Sequence, residues 1–560
     1  MSAPVKVVCL GGGWTALYAA RAMRKAIRRG DIDLTVVSRD TFLTVHGFIA
    51  EMLAGRIQPN QIMAPARRIF RPARYHHAEV ERVDLDRQEV TTSRLLDGRE
   101  HTLAYDHLIL GLGSKDDLGG YAGAQEHALR LRSYSDALKT RNHLIGVLEM
   151  ADVETDPEER RRLLTFVVAG GGYGGIEVAT EIEDYCRTVL KRSFPHIRPE
   201  EARVVVAHAS SEVLPELLPQ HANLQRYAAR YLATTAIEFH PDTKITAATP
   251  EAAVLSDGQR IPTRTIISCT GMGMPAVIDA LRLAKDERGR VVTDDHCRVP
   301  GAQGVWAAGD CAAVPHPEEG YCPPLAIYAM HAGRTIGRNL TRLVGEQPLE
   351  RFTFTSFGDA CSLGNRRAVA QLYGVPFYGT VAWVLWRIIF LSYVPSWDRR
   401  VRLLLDWLLT PFTGRELTQL RLGDPIGVSP ELYEPGQVIV RQGDVGRRMH
   451  LVSRGEVEVV HQHEDGSEER LATLGAGDHF GEVSVFQGVR RTATVRAVSR
   501  VELLTLGEDV AVSLSNTAKP FGDAVRGRLA ASGQGDAGTS DATGESDGPG
   551  GAPRTQETES

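Results

Sequence analysis

The chain has 560 residues, with 64 Lys and Arg against 70 Asp and Glu and a formal charge of -6. That length provides for several domains with large cores, and the slightly acidic balance gives no support for nucleic acid as a partner. Seven cysteines stand at 9, 186, 269, 297, 311, 322 and 361 without a C-x-x-C pair. That scatter suits a reducing compartment and argues against electron transfer through a redox dithiol; no metal site is expected.

The first apolar run, Val5-Lys6-Val7-Val8-Cys9-Leu10, reads as the first strand of a nucleotide fold and not as a secretory h-region. It runs into Gly11-Gly12-Gly13-Trp14-Thr15-Ala16 and a helix. A buried parallel strand is predicted in Tyr105 to Ser114, ending in a glycine turn. Helices are predicted over Tyr134 to Met150 and Gly175 to Val189. Between them, Thr165-Phe166-Val167-Val168-Ala169 leads into Gly170-Gly171-Gly172-Tyr173-Gly174-Gly175. Both loops read G-x-G-x-x-G/A, whose glycines let backbone N–H groups approach a pyrophosphate at the positive end of a helix. Two unrelated structural turns are the alternative. The later run Val305-Trp306-Ala307-Ala308-Gly309-Asp310 completes a triple pattern that marks a two-dinucleotide flavoprotein. The flavin adenine dinucleotide (FAD) is expected on the first loop and a nicotinamide nucleotide on the second. Asp310 is expected to accept from a ribityl hydroxyl, or else to cap a turn. Pro323-Pro324 predicts a helix start whose positive end faces the flavin pyrimidine.

Beyond residue 350 the composition turns to Trp, Leu and Arg. The run Val381 to Val394 is apolar but fourteen residues long and broken by Arg387, whereas a bilayer span needs about twenty. With Arg399 to Leu409 it suits helices lying in a membrane interface, the alternative being a dimer contact. Gly423-Asp424-Pro425 then links to a β-rich module, and from about Ala531 a Gly/Ser/Asp/Thr-rich disordered tail is expected.

The two loops, Tyr105 to Ser114, Gly123 to Ala128, Val305 to Ala312 and Phe357 to Gly364, followed by the Trp-rich segment, resemble the type II NADH dehydrogenases. Those are single-chain flavoproteins that oxidise NADH and reduce a membrane quinone. The resemblance covers roughly residues 5–415. It implies a peripheral enzyme on the cytoplasmic, inner face of the cell membrane. It also implies that Glu177 lies at the flavin face, the other reading being a first-turn helix-dipole residue. Residues expected to bind the two cofactors are Gly11, Gly13, Trp14, Thr15, Ala16, Ser38, Arg39, Gly113, Gly170, Gly172, Tyr173, Gly175, His208, Gly271, Gly309, Asp310, Ala326 and Ile327. Departures are visible. Ser38 and His208 stand where an acid usually takes the ribose hydroxyls. Without an acid at His208 nothing repels a 2′-phosphate and NADPH stays open, though no arginine sits beside it and NADH is favoured. In the acceptor-site helix the family's three glutamines are replaced by Ile327, His331 and Ala332. Of these, His331 can still hydrogen-bond a quinone carbonyl or supply a proton; it can equally be a satisfied interior histidine. Glu177 and His331 are the candidate catalytic residues.

Residues ~430–500 resemble a cyclic nucleotide-binding domain, a small jelly roll with glycine-marked turns. Phe480-Gly481-Glu482 followed by Arg491-Thr492-Ala493 resembles that family's phosphate cassette. The resemblance implies that Gly481 opens a helix toward the phosphate, Arg491 pairs with its charge, Glu482 accepts from the ribose and Thr492 adds a hydrogen bond. Arg490 departs from the usual proline. Either cAMP or cGMP fits as effector.

The fold class expected is therefore α/β, with two Rossmann-like dinucleotide-binding domains, an amphipathic extension, an all-β module and a tail. The boundaries are 1–118 and 291–348 for the FAD domain, 119–290 for the NAD(P) domain, and 349–424 for the membrane or dimer segment. The cyclic nucleotide module takes 425–516 and the tail 517–560. Rival readings are a redox sensor with little turnover and an NAD(P)H oxidoreductase with a non-quinone acceptor.

Overall fold

A computed structural model describes residues 3–117, 120–217, 221–318, 320–355, 358–419, 428–517 (apart from 445, 447, 464, 466 and 488) and 522–523. The link at Gly423 to Pro425 and the tail from Ala531 lie outside the described residues. The chain divides into two units, Met1–Leu422 and Gly423–Ser560.

The first unit begins β1 (Val5–Leu10), α1 (Trp14–Arg29), β2 (Ile32–Ser38), α2 (Ile49–Leu53), β3 (Arg74–His77) and β4 (His107–Leu110). It continues with β5 (Ala128–Leu129), α3 (Tyr134–Val153), β6 (Thr165–Ala169), α4 (Tyr173–Ser193), β7 (Arg203–Ala207), β8 (Ile237–His240) and β9 (Thr265–Ser268). Then come β10 (Val305–Ala307), α5 (Ala326–Val344), α6 (Gly379–Tyr393) and α7 (Trp397–Thr413). One sheet has the order β10-β4-β1-β2-β3 and the other β5-β9-β6-β7-β8. Every pairing in both is parallel, and the central strands are buried on both faces, as their unbroken apolar sequences require. In each sheet the strand that carries a glycine loop has neighbours on both sides. The loop therefore opens at the crevice where strand order reverses, the usual ligand position of such sheets.

Helix α5 starts at Ala326, with Leu325 as its extended N-cap, and not at Pro323 as the proline pair predicted. Pro324 drives Pro323, the residue ahead of it, to extended backbone and so out of a helix. Helix α4 begins at Tyr173, inside the glycine loop, earlier than predicted. α5 crosses α1 at very short range. A Cβ on Gly337 would lie 2.5 Å from the Ala19 carbonyl oxygen, and one on Gly333 would collide with the Thr15 carbonyl oxygen. Those glycines are needed for backbone approach, a packing reason that stands apart from any ligand.

After a three-stranded antiparallel sheet (Gly358–Ser362, Ala368–Leu372, Val375–Tyr378) come α6 and α7. Arg387, which breaks the apolar run, turns inward. Its guanidinium lies 3.9 Å from the Trp383 ring centre and 4.5 Å from that of Trp407. It donates to Glu51 of α2 at 2.7 Å, and Trp407 Nε1 donates to the same carboxylate at 2.9 Å. Phe48, Trp386 and Phe390 close an aromatic cluster around that ion pair. The opposite side of both helices is bare: Val384, Ile388, Leu404 and Leu408 are exposed, as is Phe412 at 87%. Among the described residues no helix is long and apolar enough to cross a membrane.

The second unit is a pair of four-stranded sheets. One runs Val428–Tyr433, Val501–Gly507, Arg448–Arg454, His479–Phe480; the other runs Val438–Val440, Thr494–Ala497, Val457–Gln462, Glu468–Leu474. All of their pairings are antiparallel. Val452, Val457, Phe480, Val495 and Leu503 fill the space between them.

Candidate functional site

The first glycine loop leaves β1 with Gly11 at φ +97, a backbone that glycine adopts without strain. Gly13 is the N-cap of α1 and Trp14, half-buried, its first residue; the first turn holds no acid and no side-chain cap. A Cβ on Gly13 would meet nothing within 4 Å, and the same is true of Gly113 past β4. The donors of α1 thus face an open space sized by missing side chains, and the chemistry of this cradle fits a pyrophosphate. Thr15 and Ala16 are buried, Thr15 beneath Gly309. Ser38 ends β2, its Oγ 2.8 Å from where a Gly12 Cβ would be, and Arg39 beside it is exposed. Asp310 accepts from Ser114 Oγ at 2.7 Å and pairs with Arg132 at 3.3 Å. Arg132 was not among the predicted residues; it comes from the approach to α3 and no motif marks it. These groups fit FAD.

The second cradle repeats the first. Gly170 has φ +110, Gly172 is the N-cap of α4 with no side-chain cap, and no acid lies in the first turn. Gly175 is buried in the loop, while Gly174 faces open space. His208 follows β7 with its ring against Gly171, and its buried Nε2 has no hydrogen-bond partner among the described residues. Sequence reasoning missed Glu216. Burial lowers the His208 pKa, and this residue, in the short helix Pro215–Leu217 with its carboxylate against Gly172, offsets part of that shift. A carboxylate thus stands near His208 from a segment eight residues on. Gly271 (φ +82) packs against the Asp117 carbonyl where two segments cross, so a close chain approach by itself demands glycine there.

Between the cradles, Glu177 sits on the first turns of α4, and its Oε1 accepts the Ser362 N–H at 3.0 Å. Burial pushes its carboxyl up to about 8; Glu181 and Glu51 add to the shift, while the Ser362 N–H opposes it. It retains an accessible edge. Burial also raises the thiols of Cys322 and Cys269 to about 12, and that of Cys361 well up. All seven cysteines are free, so no low-pKa thiolate stands ready for sulfur chemistry.

At the start of α5, Ala326 is exposed and Ile327 half-buried. His331, one turn on, lies edge-on to Phe354 with ring centres 5.2 Å apart, and burial lowers its pKa. Tyr328 stacks on Phe354 at 4.0 Å, and its hydroxyl meets His316 Nε2 at 3.4 Å. His316 and Phe354 come from segments with no motif of their own.

In the second unit, Arg491 is buried and donates to the carbonyls of Gly481 at 2.9 Å and Arg448 at 2.6 Å. Gly446 and Gly481 lie against its guanidinium, where a Cβ would collide. Glu482 is 7% exposed and its Oε2 has no partner among the described residues. Thr492 is exposed beside them. Arg490, standing where proline is usual, donates to the Gly443 carbonyl at 2.9 Å. The Gly443 N–H in turn donates to the Arg491 carbonyl at 2.8 Å, so hydrogen bonds fix this turn in place of a ring.

Residues 5–333 match the pyridine nucleotide-disulphide oxidoreductase family, 358–416 the NDH2 C-terminal domain, and 430–517 the cyclic nucleotide-binding domain. The chain is 30% identical over 435 residues to the type II NADH:quinone oxidoreductase Ndh of Mycobacterium tuberculosis, spanning 75% of this chain and 90% of that protein. It is 26% identical over 419 residues to a probable NADH dehydrogenase of Dictyostelium discoideum, spanning 74% and 91%. A structure of NDH2 from Plasmodium falciparum in complex with NADH has TM-score 0.68 at 16% identity and covers 74% of this chain and 99% of that one. The sulfide:quinone oxidoreductase of Aquifex aeolicus has TM-score 0.55 at 15% identity, covering 74% and 96%. Both structural likenesses are of fold alone. With two nucleotide cradles on duplicate sheets and the aromatic helix pair behind them, this chain belongs to the type II NADH:quinone oxidoreductases of the pyridine nucleotide-disulphide oxidoreductase family, and carries a cyclic nucleotide-binding domain after them.

Proposed function

We propose that this protein oxidises NADH through FAD and reduces a quinone at the inner, cytoplasmic face of the cell membrane, with a cyclic nucleotide on the second unit as effector. The observation that carries the reading is the pair of glycine loops opening helices without side-chain caps at the crevices of two duplicate sheets, in a chain 30% identical to a type II NADH:quinone oxidoreductase. Bound FAD supplies two-electron exchange between nicotinamide and quinone. The chain's own residues bind, orient and move protons. The uncapped N–H groups of α1 and α4 hold the pyrophosphates. Glu216 offers its carboxylate for ribose hydroxyls beside His208 and repels a 2′-phosphate, which favours NADH over NADPH. Glu177, protonated at neutral pH, is a proton source. His331, kept neutral by burial, can donate to or accept from a quinone carbonyl.

Orphaned Glu482 Oε2 supports cyclic nucleotide binding, since it lacks the partner a ribose hydroxyl would be, and buried Arg491, held by the Gly481 and Arg448 carbonyls, supplies the charge for a phosphate. An anaerobic titration tests the whole reading. NADH is expected to bleach the flavin band, and a soluble quinone analogue to restore it. A colourless protein that takes up no FAD, or a flavin that NADH leaves oxidised, ends the proposal. Repeating the titration with NADPH, and then with cAMP and cGMP present, separates the nicotinamide choice from the regulation.

A further inference from the structure

Behind Glu177 lies a buried ionic cluster that the proposed reaction does not use. Glu181 and Asp184 follow on the same helix, each 6% exposed or less at the side chain. Arg56 donates to Glu181 at 2.7 Å and also pairs with Asp184. Arg415 pairs with both and donates to the Ala54 carbonyl at 3.0 Å. Glu51 adds a fourth carboxylate, paired with Arg387. At the outer rim Glu183 and Arg187 face each other at 3.7 Å, and Arg187 also reaches Asp184. Glu177 faces Ser362 and Cys361 of the antiparallel sheet, Trp386 of α6 and Tyr173 of its own helix. It has no guanidinium within ion-pair reach among the described residues. With the rim pair set aside, Glu51, Glu177, Glu181 and Asp184 face Arg56, Arg387 and Arg415, so one proton makes the cluster neutral. The carboxyl without a cation is where it goes.

Arg415 comes from a separate segment. Residues 414–419 run across the end of α2 and over α3. Glu416 N–H donates to the Gly55 carbonyl at 3.0 Å, and Arg141 of α3 donates to the carbonyls of Thr418 at 3.0 Å and Glu416 at 3.2 Å.

We propose that Arg415 is a positioning residue through which this strap governs how readily Glu177 takes and releases its proton. The inference rests on the reading of Glu177 given above. The strap holds the third cation against Glu181, one helical turn from Glu177. Displacing it leaves four carboxylates with two guanidiniums, and the cluster then binds a proton more tightly.

The test is a pH titration of the oxidised, flavin-loaded full chain, followed by the infrared band of protonated carboxyl, alongside the pH profile of quinone reduction. In the wild type a step is expected near pH 8, lost in Glu177→Gln. In Arg415→Gln it moves up by about one pH unit, and Arg415→Lys brings it back. Gly55→Ala keeps every charge, but its Cβ would lie 2.5 Å from the Glu416 carbonyl oxygen and so lifts the strap; it moves the step the same way. A step that persists in Glu177→Gln overturns the Glu177 reading. A step that vanishes there yet stays in place in Arg415→Gln overturns the role of Arg415 alone. If Arg415→Gln does not fold, Gly55→Ala decides by the same criterion.

Discussion

Glu177 shows how a single burial sets a chemical role. A carboxyl with an ordinary value of 4.5 is pushed to about 8 because burial strips it of water and Glu181 and Glu51 lie near, more than the Ser362 N–H and Trp386 offset. The same shift enters stability. Between pH 4.5 and about 8 the folded state holds a proton on Glu177 that the unfolded chain has released. Its contribution is therefore complete below pH 4.5 and is lost as pH rises through 8. Denaturant melts of wild type and Glu177→Gln are expected to diverge over that window, the wild type losing stability relative to the variant as pH rises. Parallel curves would mean that Glu177 titrates as an exposed glutamate does. Arg491 makes the complementary case. Truncation to Ala is expected to weaken cAMP or cGMP binding by about 10- to 100-fold, the range for a hydrogen bond to a charged group. Calorimetry on the full chain checks it, and unchanged affinity would remove Arg491 from the pocket.

At the scale of elements, the decisive contact is between α2 and the helix pair α6–α7. Arg387 reads in the sequence as an interruption of an apolar run, yet it is the residue that fastens that run to the first unit. It lies between two indole rings and on a carboxylate 1% exposed. Arg387→Met leaves the Glu51 charge buried without its cation and is expected to cost about 3–5 kcal/mol. The double variant Glu51→Gln, Arg387→Met should regain much of that loss. Chemical denaturation of the four proteins of that cycle measures the coupling, and additive losses would show that the pair is not a unit.

At the scale of the whole molecule, the exposed stripe of Val384, Ile388, Leu404 and Leu408 gives the first unit a bare apolar surface. Replacing Ile388, Leu404 and Leu408 by Glu together is expected to abolish flotation with anionic vesicles. NADH oxidation with a water-soluble acceptor should stay at the wild-type rate, since none of the three touches the nucleotide cradles. Undiminished flotation would assign the stripe to another partner.

The sequence alone determined the two nucleotide units, the closing Gly309-Asp310 turn, the aromatic helices and the β-rich module. Each is written in local signals: glycine spacing, apolar runs, turn residues. It also marked Glu177, Arg491 and Glu482, whose motifs sit beside them. What only the tertiary structure decided is carried by residues far apart in the chain. Glu216 reaches the second cradle from a turn, Arg132 pairs with Asp310 across 178 positions, and Arg415 meets Asp184 across 231. Side-chain reach from distant elements leaves no periodicity or spacing to read. The acid missing at His208 and the inward turn of Arg387 therefore became intelligible only once the sheets had brought their surroundings together.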